Sequence, residues 1–314
     1  MVIKVCDRNF IVCITYLFFV IKVYLFGIYF IQCIKSSLLL ILSFCFYIIF
    51  CMEQKLISNF HTHTYLCNHA IGSIADYVEY AKKDGCSALG FSDHCPYPVS
   101  SDDYWPNIRM TEEQAFLYVQ EIKSLSSTVD FPLYTGFECE WDSKYESWYK
   151  EVLLGKMGVD YLVLGPHWVT LGNRHIYALE FTTKEQLHKY IDQNIKGIQS
   201  GIYKFLAHPD LFMGAWKEWD SEAKACLSAL LDAAIDANIP VEINGLGMTR
   251  ATNQTKNGIR YQYPYDEFWQ MVADSKAKVI CNSDAHAPKN VIADAILARD
   301  YAKKFGITPI ESIF

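Results

Sequence analysis

Leu56-Ile57-Ser58-Asn59-Phe60-His61-Thr62-His63 closes an apolar run with two histidines one residue apart. The run reads as a β-strand, in which residues two apart project from the same face. Two imidazoles on one face, at a strand's end, can grip one metal ion. No other stretch says as much, because further histidines and carboxylates recur at comparable places downstream.

Working outward, short β-rich runs fall at 57–61, 88–93, 133–138, 161–167, 204–208, 240–244 and 278–283. Helical patterns fill the intervals at 73–83, 111–126, 183–200, 221–237, 265–275 and 291–305. Ser73 suits an N-cap, with Asp84-Gly85 beyond the helix it opens, and Thr111, Glu112 and Glu113 suit a first turn. Seven strands, mostly apolar on both faces and all but the third followed by a helical pattern, predict a parallel sheet. An open doubly wound sheet and a closed barrel both fit that alternation. The polar groups crowd the C-terminal end of nearly every strand, where barrels assemble their sites. The expected fold is therefore an α/β, TIM-like barrel.

The chain has 314 residues and a formal charge of −7. That balance offers no basic footprint, so no nucleic-acid partner is expected. Residues 1–51 differ from the rest: they are almost wholly apolar from Asn9 onward, broken by Lys22, Lys35 and Ser36-Ser37. Residues 9–34 are long enough to span a membrane once but carry Lys22 near their middle. No small-residue cleavage site follows, which disfavours a secretory signal. The preferred reading is a mis-assigned start, with translated AT-rich non-coding sequence ahead of Met52; a membrane anchor is the alternative. The expected organisation is thus an apolar segment at 1–51 and one folded domain at 52–314. Without the segment the charge becomes −10, and six cysteines remain, with no CxxC spacing. Reduced thiols in a cytoplasmic protein are expected.

Taken in order, the strand ends offer His61 and His63, with His69 in the next loop, then Ser92-Asp93-His94, Gly136-Phe137-Glu138 and Gly165-Pro166-His167. His208-Pro209-Asp210 and Asp284-Ala285-His286 follow. Seven of the nine histidines belong to this set, and His175 and His188 are read as surface residues. One histidine at a strand end is ordinarily structural, but seven on one rim are not. Imidazole and carboxylate without thiolate suit Zn, Mn or Fe. Neighbouring ions of this kind act as Lewis acids in phosphoester displacement.

His61-Thr-His63, Ser92-Asp93-His94, Gly136-Phe-Glu138, His167, His208 and Asp284-Ala-His286 resemble the motifs of the PHP (polymerase and histidinol phosphatase) family, in particular its histidinol-phosphatase branch. The resemblance implies a distorted (β/α)7 barrel with three divalent metal ions. It assigns His61, His63, Glu138 and Asp284 to the first. The second shares Glu138 and adds His167 and His208, and the third takes His69, His94 and His286. Glu138 is preferred over Glu140 by its distance from Gly136; Asp93 and Asp210 are expected to orient the neighbouring rings.

The activity implied is hydrolysis of a small phosphate monoester, most specifically L-histidinol phosphate in histidine biosynthesis. Asp284 and His286 are the candidates for catalytic proton handling. Arg250 and Arg109 are the candidates for gripping phosphate. One departure bears on the substrate: Leu211-Phe212-Met213 follows Asp210, with no basic residue where histidinol phosphatases often carry one. Trp105, Trp168, Phe212 and Trp216 could line an organic pocket. The competing expectations are another phosphate ester (nucleotide, sugar or phosphotyrosine) and a metal-binding PHP domain without catalysis. Oligomeric state is left open.

Overall fold

The computed structural model describes residues 56–314, apart from Asn173 and Asn257. The apolar segment at 1–51, with its start-site, anchor and signal readings, lies outside the described residues. Four strands make a parallel sheet in the order β1 (Ile57–Asn59), β2 (Cys86–Phe91), β3 (Leu133–Cys139), β4 (Tyr161–Leu164). The run expected at 204–208 is reduced to Leu206, which bridges in parallel to Leu164 on one side and Val241 on the other. Val241 opens β7 (Val241–Asn244), which pairs in parallel with β10 (Val279–Asn282). A parallel bridge from Ala285 to Thr62 then leads from the end of β10 back to the end of β1. The result is a mixed α/β fold around a curled parallel sheet.

Two hairpins were not anticipated: β5 (Trp168–Leu171) with β6 (Arg174–Tyr177), and β8 (Thr252–Thr255) with β9 (Gly258–Tyr261). Both sit in stretches read as loop. Gly172 at φ 61° and Gly258 at φ 113° supply left-handed backbone at their turns.

Helices begin where local chemistry dictates. Ser73, Thr111 and Thr183 each form reciprocal capping boxes at α1 (Ile74–Lys83), α2 (Glu112–Leu125) and α3 (Lys184–Gln199). The stripe Ile74, Tyr77, Val78, Ala81 buries one face of α1. Helix α4 (Ser221–Asp236) packs beside α3; a short turn α5 (Gly245–Thr249), then α6 (Asp266–Ala273) and α7 (Ala293–Lys304), complete the layer. Among the described residues no helix is long and apolar enough to cross a membrane.

The apolar interior has two parts. A large cluster lies between sheet and helices, and a small one gathers Phe60, Tyr161, Val163, Phe205, Ala207 and Ile280. Tyr161 fills the small cluster because β2 and β3 carry Gly90 and Gly136 opposite it; a Cβ on Gly136 would stand 2.6 Å from its ring. Its hydroxyl donates to the carbonyls of Phe60 (2.8 Å) and Phe91 (3.2 Å).

Side chains stitch β1 to β10. Asn59 receives the Ser283 N–H at 2.9 Å, and Asn282 Oδ1 receives the Phe60 N–H at 2.8 Å. The buried Arg299 guanidinium donates to the carbonyls of Ser58 and Cys281, both at 3.0 Å. These bonds bring the histidine-bearing strand ends onto one rim.

Candidate metal centre

Where β1 ends, the backbone stays extended and turns His61 and His63 toward the same space. Their Nε2 atoms stand 3.1 Å apart. Glu138 on β3 enters between the strand ends: its Oε1 lies 3.3 Å from His61 Nε2, 3.3 Å from His167 Nε2 and 3.0 Å from His208 Nε2. Its Oε2 lies 3.3 Å from His63 Nε2 and 3.2 Å from His94 Nδ1. Asp284 Oδ1 faces His63 Nε2 at 3.2 Å and His61 Nε2 at 3.6 Å. His69 and His286 meet through their Nε2 atoms at 3.2 Å. All nine residues expected as ligands therefore gather at one rim.

Two backbones bend to allow this. His208 has φ 26° and Asp284 has φ 52°, both in the left-handed region that side chains disfavour. Gly165 leaves room for Glu138, since a Cβ there would stand 2.5 Å from Glu138 Cγ and Oε1.

The fit to a cation follows from the protons. His61 Nδ1 donates to Glu242 (2.8 Å) and His167 Nδ1 to Glu140 (2.7 Å). His69 Nδ1 donates to the Cys67 carbonyl (2.7 Å) and His286 Nδ1 to the Asp284 carbonyl (2.9 Å). In a neutral ring the other nitrogen is then a lone pair. Lone pairs thus oppose lone pairs and carboxylate oxygens at about 3 Å. Glu138 Oε2, Asp284 Oδ1 and His94 Nδ1, which all face the cluster, are also buried without hydrogen-bond partners. Bare acceptors crowded together repel one another unless positive charge sits among them. Ligand bonds of about 2 Å to one ion put donor atoms roughly 3 Å apart, so the donor set suits divalent metals. Compact groups recur: His61, His63 and Glu138; His61, His208 and Asp284; His94, Glu138 and His167; His69, His94 and His286.

Charge in the cluster is mutually held. Without metal, protons on these rings supply the positive charge: burial alone would raise the Glu138 carboxyl, but protonated His167 and His61, with a hydrogen bond from His208, hold it well below the usual carboxylate range. Burial likewise opposes the Asp284 anion, and His61, His63 and His286 prevail. At His286 burial dominates, with the neighbouring His63 reinforcing it, and the ring is pushed down to about 3.

The pocket over this rim is lined by Ile108, Trp168, Tyr177, Leu211, Leu246, Tyr263 and Arg250. Arg250 is exposed and its guanidinium donates to the Tyr177 hydroxyl at 3.4 Å. Arg109 does not belong to this lining. Its side chain is buried, donating to Glu140 at 2.8 Å and to the Cys95 carbonyl at 3.0 Å, so its charge serves Glu140 rather than a ligand. The expectation of a phosphate-gripping Arg109 is corrected accordingly.

Other expectations also shift. Asp93 accepts from Thr64, and Asp210 from the Tyr265 N–H and Trp269, so neither orients a ring. Glu140 is buried and accepts from His167 Nδ1, so it supports a candidate ligand rather than replacing Glu138. His175 is half-buried, 3.1 Å from Asp103, while His188 is exposed as expected. Trp168 lines the pocket, but Phe212 is core. The residue missed outright is Glu242; a lone acid within the apolar run Val241-Glu242-Ile243 was the available signal. Cys67 was also missed as a neighbour: its sulfur lies close to His63 and His286.

Comparison with known proteins agrees with this geometry. The PHP domain family matches residues 59–245. The chain is 27% identical over 255 residues to a probable histidinol-phosphatase of Deinococcus radiodurans, spanning 75% of this chain and 90% of that one. It is 25% identical over 259 residues to a histidinol-phosphatase of Bacillus subtilis, spanning 74% and 94%. In fold it resembles a Lactococcus lactis histidinol phosphate phosphatase solved with zinc, L-histidinol and phosphate (TM-score 0.58, 17% identity, 81% of this chain and 95% of that one). With more than half its length matched, and the metal-type cluster formed by the motif residues, the chain belongs to the PHP domain family.

Proposed function

We propose that this chain is a metal-dependent histidinol-phosphatase, hydrolysing L-histidinol phosphate to L-histidinol and phosphate. The observation that carries the reading is the convergence of opposed lone pairs from separate strand ends at the floor of one pocket. Relatives carrying that name support it, because they align over nearly their whole length. The parallel bridges at Leu206 and Ala285, with the separate inner cluster around Tyr161, support a distorted (β/α)7 barrel within residues 52–314.

His61, His63, Glu138 and Asp284 would hold one divalent ion, Glu138, His167 and His208 a second, and His69, His94 and His286 a third. Zn, Mn and Fe all suit these donors. When bound, such cations supply Lewis acidity toward the phosphoryl oxygens and the leaving alkoxide. Arg250 reaches the pocket and offers a fork matching phosphate oxygens. Trp168, Tyr177, Leu211 and Leu246 exclude water from the organic part of the substrate. Asp284 and His286 line the phosphate end as ligands; Asp284 is ionised and His286 keeps its Nδ1 proton on a main-chain carbonyl, so the proton for the leaving oxygen would come from water.

A second reading keeps the chemistry and changes the ester. It is favoured by Leu211 lining the pocket where a basic residue would favour histidinol phosphate. A panel of phosphate monoesters, assayed with zinc or manganese, separates the two. Histidinol phosphate is expected to be turned over fastest. Turnover no faster than generic esters would shift the assignment to the second reading, and no phosphate release from any ester would overturn both.

A further inference from the structure

We propose that Glu242 is a positioning residue for the metal centre, setting the tautomer of His61 and clamping the strained backbone of His208. This rests on the metal reading above. Glu242 is fully buried in β7, and among the described residues the His61 imidazole is its ion-pair neighbour. Its Oε1 accepts from His61 Nδ1 (2.8 Å) and from the Asn282 amide (2.9 Å). Its Oε2 accepts from the His208 N–H (3.1 Å) and from the Asn244 amide (2.9 Å). A carboxylate has about four acceptor sites, and here each meets a donor.

Because an ionised carboxylate cannot donate, a neutral His61, the form that binds a metal, must carry its one proton on Nδ1. Nε2 is then a lone pair, turned on Glu138 Oε1 and His63 Nε2. The bond from the His208 N–H holds that residue at φ 26°, the conformation that sets His208 Nε2 3.0 Å from Glu138 Oε1. One side chain thus aims two imidazoles from two strand ends. Asn244, which donates to Glu242, also donates to Asp284 Oδ2 at 3.1 Å, extending the same lattice to a third candidate ligand.

Glutamine at this position has one acceptor oxygen and one donor amide. It can satisfy the His61 side or the His208 side, and must oppose a donor to a donor on the other. The test is zinc affinity of the whole chain, measured by competition with a chromophoric chelator, for wild type and Glu242→Gln. We expect the variant to bind zinc about 10–100-fold more weakly while its metal-free circular dichroism is unchanged. A residue that only stabilises the fold would lower the melting temperature and leave zinc affinity as it was; that result overturns the proposal. Should the variant not fold, the nitrogen-15 spectrum of His61 in the zinc-loaded wild type decides, since a ring protonated on Nε2 and bare at Nδ1 also overturns it. Failure of the wild type to bind zinc would sink the metal reading itself, so the two failures are distinguishable.

Discussion

His69 Nε2 and His286 Nε2 face each other at 3.2 Å, on rings whose Nδ1 atoms already donate to main-chain carbonyls. Two lone pairs so placed repel unless a cation lies between them. Zinc should therefore raise the melting temperature, and a chelator should lower it again. Mass action sets the scale: ligand at a hundredfold above its Kd stabilises by about 2.7 kcal/mol. A melting curve indifferent to zinc, manganese and iron would refute the shared centre.

Asp284 holds one carboxylate oxygen against both His61 and His63. Asp284→Ala should abolish turnover, by at least about 100-fold, with circular dichroism unchanged. Retained turnover would point to a centre that does not use this carboxylate.

The two arginines should part company. Arg250→Ala removes a guanidinium at the pocket and should cost roughly 10–100-fold in kcat/KM, the scale of a charged hydrogen bond, with the melting temperature unmoved. Arg109→Met leaves the buried Glu140 without its counter-ion. Breaking such a pair costs about 3–5 kcal/mol, so the melting temperature should fall by about 10 °C. Equal melting temperatures for the two variants would contradict the placement of Arg109.

Gly165 makes room for the Glu138 side chain. Gly165→Ala should push Glu138 aside and lower activity about 100-fold, the usual effect of a 1 Å misplacement. Zinc content and kcat read together check this; full zinc and full activity would show that the rim yields more than its packing suggests.

Asp103 binds Lys144 (2.8 Å), His175 (3.1 Å) and the Tyr145 hydroxyl (2.6 Å), away from the metal rim. Burial alone would raise its carboxyl, but these donors hold it well below the usual range. A carboxyl with a depressed folded pKa contributes stability that is complete above its unfolded value of about 3.9 and is lost as pH falls through the folded one. The stability gap between wild type and Asp103→Asn should be level above about pH 5 and shrink below about pH 4. Chemical denaturation across that range would show it, and a gap independent of pH would argue against the ion pair.

Local chemistry carried much of this structure in plain view. Capping boxes at Ser73, Thr111 and Thr183 bond over three residues, so a short window contains both partners. Strand periodicity put His61 and His63 on one face, and strand ends identified where the other imidazoles would meet. The hairpins were missed because Trp168-Val169-Thr170-Leu171 is too short a run to separate strand from loop without its partner.

What the sequence determined by itself was the inventory: which donors exist, at which strand ends, and that a parallel α/β scaffold presents them together. Tertiary structure alone decided the allegiances. Asp93 and Asp210 stand beside histidines in the chain yet bond elsewhere. Glu242 reaches His61 across 181 residues, and Arg109 turns inward to Glu140. The reason is physical: a hydrogen bond is settled by direction within about 3 Å, and only the folded backbone brings distant groups to that range and aims them.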